Sequence, residues 1–304
     1  MKFIENRKKF YVISIVLILI GLLTMCYNAV TGNGVFNQDV EFTGGSIVQI
    51  NIERKLTLEM KDELIQITKG IASNSDPRIS AAGETGVIIT TKNIDAATRT
   101  KLFNAVKEKY KLKDAAPLAD SDISASISNE IKLGALKAVA LGLLLILIYI
   151  TYRFKDYKFG MGAFIALIHD VLIMLTVYAV FRIPINSSFI AAILTVIGYS
   201  MNDTVVIFDR IRENKPKMNT DDATMIDVSI NQTLGRSIAT SMATLLMLIL
   251  LYFLGVESVK QFAFPLVLGI ITGTYSSIFI ASPMWYEMRK YSKTAQKKIK
   301  PKTT

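Results

Sequence analysis

Six apolar segments divide the chain, and each is long enough to cross a bilayer, whose hydrocarbon core of about 30 Å requires roughly 20 helical residues. They cover approximately residues 10–30, 133–152, 159–181, 187–208, 234–254 and 261–286. The first is longer than the apolar core of a signal peptide and is followed by no convincing cleavage site, so we expect an uncleaved span. The pattern predicts a polytopic α-helical membrane protein with six transmembrane helices.

The polar insert between the first two apolar segments carries strand and helix patterns in turn. Apolar residues alternate over 46–52 and 86–91, which predicts two strands, and they recur at helical spacing over 57–72 and 95–109. Weaker strand signals lie at Ile79 and at 120–127. The order β-α-β-β-α-β predicts an α+β ferredoxin-like domain between helices 1 and 2.

The distribution of charge predicts the orientation of these segments. The net charge is +10, and basic residues concentrate at 2–9, 153–158, 210–217 and 289–302, next to apolar segments. Because basic residues favour the cytoplasmic side, both chain termini are expected inside the cell and the insert outside. The insert is close to neutral, which argues against a nucleic-acid surface.

The chain is therefore expected to have four parts. They are a cytoplasmic N-terminus with the first helix (1–30), an extracytoplasmic α+β domain (31–131), a five-helix transmembrane bundle (132–290) and a basic cytoplasmic tail (291–304). Residues 221–232 are expected to form a short separate helix at the membrane interface, and the tail is expected to be irregular.

Few ionisable residues lie within the apolar segments, and each is a functional candidate because burying a charge in a bilayer is costly. Asp170 follows His169 in the third segment, Asp203 lies in the fourth, and Arg236 opens the fifth. A helical rise of about 1.5 Å per residue places Asp170 near the midplane and Asp203 in the cytoplasmic half. Asp209 is expected at the interface in a salt bridge.

Arg236 is the expected partner of Asp203, and polar side chains surround the pair. The supporting residues are Asn202, Thr204, Ser237, Thr240 and Ser241. The proton affinity of a buried carboxylate depends on whether such a pairing is intact, so a conformational change could load or release a proton. Two simpler interpretations stay open. The Asp–Arg pair could simply lock two helices together, and Asp170 could serve helix packing or a hydrogen bond to a neighbouring subunit instead of proton transfer.

Other patterns carry less chemistry. His169 is the only histidine, which argues against a histidine-based metal cluster, and no cofactor is expected. The glycines at 269 and 273 predict close helix packing. Gly44 and Gly45 lack the remainder of a phosphate-binding loop, so we expect a tight backbone feature at the start of a strand.

Four motifs resemble those of a known family. They are Asp-Val-Glu-Phe-Thr-Gly-Gly-Ser at 39–46, Ala-Leu-Ile-His-Asp at 166–170, a long motif at 197–214 that begins Ile-Gly-Tyr-Ser-Met-Asn-Asp-Thr, and Gln-Thr-Leu-Gly-Arg-Ser-Ile-Ala-Thr-Ser at 232–241. In identity and order they are similar to those of the SecF subunits of the bacterial SecD/SecF family, within the resistance-nodulation-division superfamily.

The resemblance implies a function and partners. It implies a non-enzymatic subunit in the bacterial cell membrane that pairs with SecD and uses the proton-motive force to promote preprotein export through the SecYEG translocon. It also implies that Asp203 and Arg236 belong to a proton pathway. With six expected spans and one insert, the chain is expected to be a separate SecF and not a fused SecD–SecF.

Other classes of protein also bury carboxylates in membranes. An intramembrane aspartyl protease requires two facing carboxylates, but the Gly-x-Gly-Asp signature is absent from the sequence and the expected partner of Asp203 is a base. Half of a proton-driven small-molecule or lipid transporter of the same superfamily stays open as the alternative, as does a purely structural assembly subunit.

Overall fold

A computed structural model describes residues 2–32, 34–73, 77–83 and 85–299. Its helices are α1 (Phe3–Val30), α2 (Val40–Thr43), α3 (Leu58–Ile71), α4 (Ala96–Tyr110), α5 (Ala125–Phe154), α6 (Tyr157–Val180), α7 (Ser187–Asn214), α8 (Asp222–Leu254), α9 (Glu257–Ser276) and α10 (Ser282–Ile299). Its strands are β1 (Gly45–Asn51), β2 (Arg78–Ala82), β3 (Gly86–Thr91) and β4 (Ala119–Ile123).

Six helical spans in the described part of the chain are long and apolar enough to cross a membrane, as predicted. Five of them are α1, α5, α6, α7 and α8. The sixth runs through α9, a π-helical turn at Ser277–Ala281 and α10. The chain is therefore a multi-pass α-helical membrane protein.

Several helices extend further than their apolar segments. Helix α1 begins at Phe3 because the Asp227 carboxylate accepts hydrogen bonds from the backbone N–H groups of Phe3 and Ile4, each at 2.9 Å. The prediction of a separate interfacial helix at 221–232 was wrong. Ile226 and Ile230 are buried in the bundle core, so this stretch continues α8 without a break. The tail also remains helical to Ile299.

A four-stranded antiparallel sheet lies between α1 and α5 in the chain, in the order β2-β3-β1-β4. The strands and helices fall where the alternating and helical patterns predicted them, except that β4 ends at Ile123 and residues 125–127 of the predicted strand belong to α5. Alternate residues of the central strands, such as Val48 and Ile89, are buried with Leu64 of α3 and Leu102 of α4. The sheet and its two helices therefore have a hydrophobic core separate from that of the bundle.

The bundle has three largely buried spans and three outer ones. The spans through α6, α7 and α9–α10 are about half buried, whereas α1, α5 and α8 expose most of their side chains. An ideal Cβ on Gly269 would lie 2.0 Å from Val196 Cγ2, and one on Gly273 would lie 2.9 Å from Ser200 Cβ. The predicted close packing at these glycines is confirmed, and it joins α9 to α7.

Candidate functional site

Asp170 lies at the centre of the bundle, where three of its neighbours satisfy its carboxylate. The residue is 1% exposed on α6. Its Oδ2 atom accepts hydrogen bonds from Ser200 Oγ of α7 and Ser276 Oγ of α9, both at 2.8 Å. Its Oδ1 atom lies 3.1 Å from His169 Nδ1. Four polar side chains from three helices thus meet in an apolar core.

The Asp170 cluster continues through His169 to the first helix. His169 Nε2 lies 3.0 Å from Ser14 Oγ, and Ser14 Oγ lies 3.2 Å from the Tyr275 hydroxyl. That hydroxyl donates to the Phe10 carbonyl at 3.0 Å. An unbroken series of hydrogen-bonding groups therefore runs from Asp170 to the backbone of α1.

Asp203, which is 4% exposed on α7, forms the second buried carboxylate site. Ser241 Oγ of α8 donates to its Oδ2 atom at 3.2 Å and also lies 2.7 Å from Thr274 Oγ1 of α9. Ser237, one turn before Ser241, is buried on the same side of α8 and lies near the carboxylate. Hydroxyl groups from two helices thus surround Asp203.

Arg236 does not form the direct pair that the sequence suggested. No Arg236 nitrogen lies within 4.0 Å of an Asp203 oxygen, and the arginine is on an exposed face of α8. Successive helical residues are rotated by about 100°. The face that turns Ser237 and Ser241 toward Asp203 therefore turns Arg236 away.

The other supporting residues fall into an inner and an outer group. Thr204 is buried, and its Oγ1 lies 2.8 Å from Ser277 Oγ in the π-helical turn. Asn202 and Thr240 are exposed, and Thr240 Oγ1 donates to the Arg236 carbonyl at 3.0 Å. Asp209, as expected, pairs with arginines: it lies 3.2 Å from Arg153 and 3.0 Å from Arg212.

Ser200 connects the two carboxylate sites. Its hydroxyl donates to Asp170, while its carbonyl accepts from Thr204 Oγ1 at 3.3 Å and Ser277 Oγ at 3.2 Å. Ser276 and Ser277 begin the transition from α-helix to the π-helical turn, a feature often found at functional sites. This turn directs two consecutive hydroxyls into the region between Asp170 and Asp203.

Sequence reasoning missed four members of the Asp170 cluster: Ser14, Ser200, Tyr275 and Ser276. Ser200 stands inside a motif but was not assigned a role, and Ser276 follows the two glycines from which only close helix packing was predicted. A lone hydroxyl such as that of Ser14 in an apolar segment usually bonds to its own helix backbone, so nothing in the sequence distinguished it.

Six membrane-spanning helices that bury two hydrogen-bonded carboxylates define a class of polytopic membrane proteins with ionisable groups in the bundle. A family model described as "Protein export membrane protein SecD/SecF, C-terminal" matches residues 103–291. The chain belongs to this family, and its full-length relatives place it among the SecF subunits.

The SecF relatives share most of their length with this chain. The protein translocase subunit SecF of Sebaldella termitidis is 35% identical over 96% of this chain and 93% of its own length. The protein translocase subunit SecDF of Bacillus subtilis is 32% identical, and the match covers 93% of this chain but only 37% of that protein.

A solved structure has the same architecture. The crystal structure of SecDF from Thermus thermophilus, a translocon-associated membrane protein, superposes with a TM-score of 0.81 at 28% sequence identity. The match covers 95% of this chain and 39% of that one. The chain therefore corresponds to a little over a third of SecDF.

Proposed function

We propose that this chain is an accessory subunit of the Sec translocase that works with SecD and uses the proton-motive force to promote preprotein export through SecYEG. The names of the relatives, all protein translocase subunits, support the export role. In the SecDF relatives, this chain matches only part of a longer protein, which supports the partnership with SecD. One six-helix unit would then be half of a pseudo-symmetric membrane assembly.

The proposal includes an orientation in the bacterial cell membrane. Basic residues at both chain ends and in the segments that join α5 to α6 and α7 to α8 favour a cytoplasmic position for these parts. The sheet then lies outside. Its strand order and its two helices on one face match a ferredoxin-like split βαβ unit, and we propose that it is the extracytoplasmic domain.

The observation that carries the proton-driven mechanism is the hydroxyl environment of Asp203. A hydroxyl donates to a carboxylate and accepts from a carboxylic acid by rotation about one bond. Ser241 and Thr274 can therefore satisfy Asp203 with or without its proton. Arg236, on the neighbouring face of α8, would stabilise the ionised form in a conformation that brings it closer.

Asp170 supplies a second position for a proton in this mechanism. Its carboxylate is joined to the Asp203 region through Ser200 and the hydroxyls of the π-helical turn. His169 can hold its own proton on either ring nitrogen, so it can bond Asp170 and Ser14 in both protonation states of the aspartate. We place Asp170 on the same proton pathway, with His169 as its supporting residue.

Neutral variants test the proposed function. Asp203→Asn and Arg236→Met are expected to leave the chain folded and bound to SecD. In inside-out vesicles that contain the Sec channel, both should abolish the part of preprotein export that depends on the membrane potential. A potential of 100 mV supplies about 2.3 kcal/mol per transferred charge, and the variants should make no use of it.

Asp209→Asn is the matched control, because this carboxylate already pairs with Arg153 and Arg212 at the helix end. It should retain potential-dependent export. Full potential-dependent export by Asp203→Asn and by Arg236→Met would contradict the proton mechanism. If these two variants lost only ATP-driven export, the residues would have a role in assembly instead.

A further inference from the structure

The segment that precedes the sheet is bonded to the loop between α6 and α7. The Asp39 N–H donates to the Ile185 carbonyl at 3.0 Å, and the Ile185 N–H donates to the Asn37 carbonyl at 2.8 Å, so that Gln38 and Ile185 form a parallel β-bridge. The Asn37 side-chain amide also donates to the Arg182 carbonyl at 2.7 Å. Because backbone groups make most of these bonds, side-chain rotation does not release them.

Glu41 bonds the same segment to the first residue of α7. Its Oε2 atom accepts a hydrogen bond from the Ser187 N–H at 2.7 Å. The first N–H groups of a helix have no partner within it and carry partial positive charge, which favours a carboxylate there. The helix's own N-cap, Asn186, satisfies the Phe189 N–H. Glu41 therefore acts as a second cap, supplied from outside α7.

The same segment leads into the sheet with little freedom. Phe42 is buried in the core of the membrane bundle together with Ile185. Gly44 and Gly45 follow at positive φ angles, and an ideal Cβ on Gly45 would lie 2.2 Å from the Thr91 carbonyl oxygen of β3. Glycine alone fits this passage into β1, the strand that pairs with both β3 and β4. We call residues 37–41, with their contacts to Arg182, Ile185 and Ser187, the latch.

We propose that the latch transmits movement of α7 to the sheet, with Glu41 as the residue that positions the start of α7. This inference rests on the proposed function. Helix α7 carries Asp203 sixteen residues after Ser187, a distance of roughly 24 Å along a helix at about 1.5 Å per residue. A displacement of α7 that accompanies a change at Asp203 would reach the latch through a continuous helix and enter β1 directly.

The first experiment separates coupling from simple anchoring. Glu41→Ala and Glu41→Gln are compared in inside-out vesicles for proton uptake by the protein from the lumen, measured as proton release into the medium, and for potential-dependent preprotein export. Glu41→Ala should retain proton uptake while the ratio of export to proton uptake falls by about fivefold or more, as expected for loss of coupling between two sites. Glu41→Gln keeps an acceptor oxygen for the Ser187 N–H and should retain more of this ratio.

Glu59→Ala is the matched control, because Glu59 is an exposed carboxylate in the first turn of α3, outside the latch. It should leave the ratio unchanged. An unchanged ratio in Glu41→Ala would overturn the inference, and so would a parallel loss of proton uptake and export, which would indicate an anchoring role. Asp203→Asn in the same assay tests the proposed function separately. If this variant kept full proton uptake, the proposed function would be contradicted, whereas the latch geometry would not.

The second experiment closes the latch covalently. Residues opposite each other on neighbouring strands lie at a separation that a disulfide spans, so Gln38→Cys and Ile185→Cys are combined in a Cys26→Ala background. Oxidation should form the disulfide, and export should persist, because the latch stays closed while it transmits movement. Loss of export on oxidation with recovery on reduction would overturn the inference, as would failure of the pair to oxidise. Gln38→Cys alone is the control for the oxidant.

Discussion

At the scale of single residues, hydroxyl groups donate hydrogen bonds to both buried carboxylates, and His169 adds a contact to Asp170. Asp170 has Ser200 and Ser276, and Asp203 has Ser241. A hydroxyl can donate to a carboxylate and accept from a carboxylic acid, so these partners fit the aspartates in either protonation state. Such sites suit groups that exchange a proton within a working cycle.

Ser14 is expected to stabilise the fold, although it lies in an apolar helix. Ser14→Ala would leave His169 Nε2 without a described partner in the core, at a cost of about 1–3 kcal/mol for a buried unsatisfied group. Thermal unfolding of the detergent-solubilised protein should show the loss. Thr24→Ala on the same helix is the control, because that exposed hydroxyl bonds to the Ile20 carbonyl of its own helix. Equal melting temperatures for Ser14→Ala and wild type would contradict the assignment of this contact.

Sequence reasoning identified the buried acids but not all their contacts. Asp170 and Asp203 stand out because charged residues are rare in apolar segments. The direct Asp203–Arg236 pair was an incorrect prediction since it depends on the rotation of α8, which is set by tertiary packing and not by spacing along the chain. The hydroxyl partners of Asp170 come from α7 and α9, Ser14 of α1 is reached through His169, and no local pattern brings these residues together.

At the scale of helices, α7 and α9 approach most closely where glycines replace side chains. Gly269 faces Val196, and Gly273 faces Ser200, which in turn donates to Asp170. Small residues allow such approach in membrane proteins, where close packing is a main source of helix association. The closeness of these helices therefore positions the hydroxyls that bond the carboxylate.

A single methyl group should separate α7 from α9. Gly269→Ala places a Cβ 2.0 Å from Val196 Cγ2. The two helices have to move apart to avoid this clash, which should lower the free energy of unfolding by about 1–3 kcal/mol. Adding Val196→Ala should restore much of the loss in a thermal unfolding assay. Gly134→Ala, with no atom within 4 Å of the added carbon, serves as the control. A stable Gly269→Ala variant would show that the two helices can separate without cost.

The positions of helices were predictable, whereas several of their ends were not. Hydropathy locates the six spans because the bilayer sets their length. It does not locate the start of α1, which depends on capping by Asp227, two hundred residues away in the chain. It also missed that α8 is one helix, because Ile226 and Ile230 are buried by packing with other helices.

At the scale of the whole molecule, no described residue covers a polar patch on the outside of the bundle. Arg236 and Thr240 of α8 and Asn202 of α7 are exposed within predicted spans. Polar and charged groups in a bilayer face protein or water and not lipid. The patch therefore marks the surface where a second membrane subunit is expected to pack, in agreement with the proposed partnership with SecD.

Crosslinking can locate this partner. In a Cys26→Ala background, Thr240→Cys should form crosslinks to a membrane helix of SecD in intact membranes, because a second six-helix unit must cover the polar patch next to Arg236. Leu144→Cys on α5 is the control, since Leu144 is exposed on an apolar surface that suits lipid contact. Crosslinks to SecD from Leu144→Cys and none from Thr240→Cys would place the partner against α5 and contradict this prediction. In that case Arg236 would face lipid or water, and the approach of Arg236 to Asp203 would have to occur without the partner.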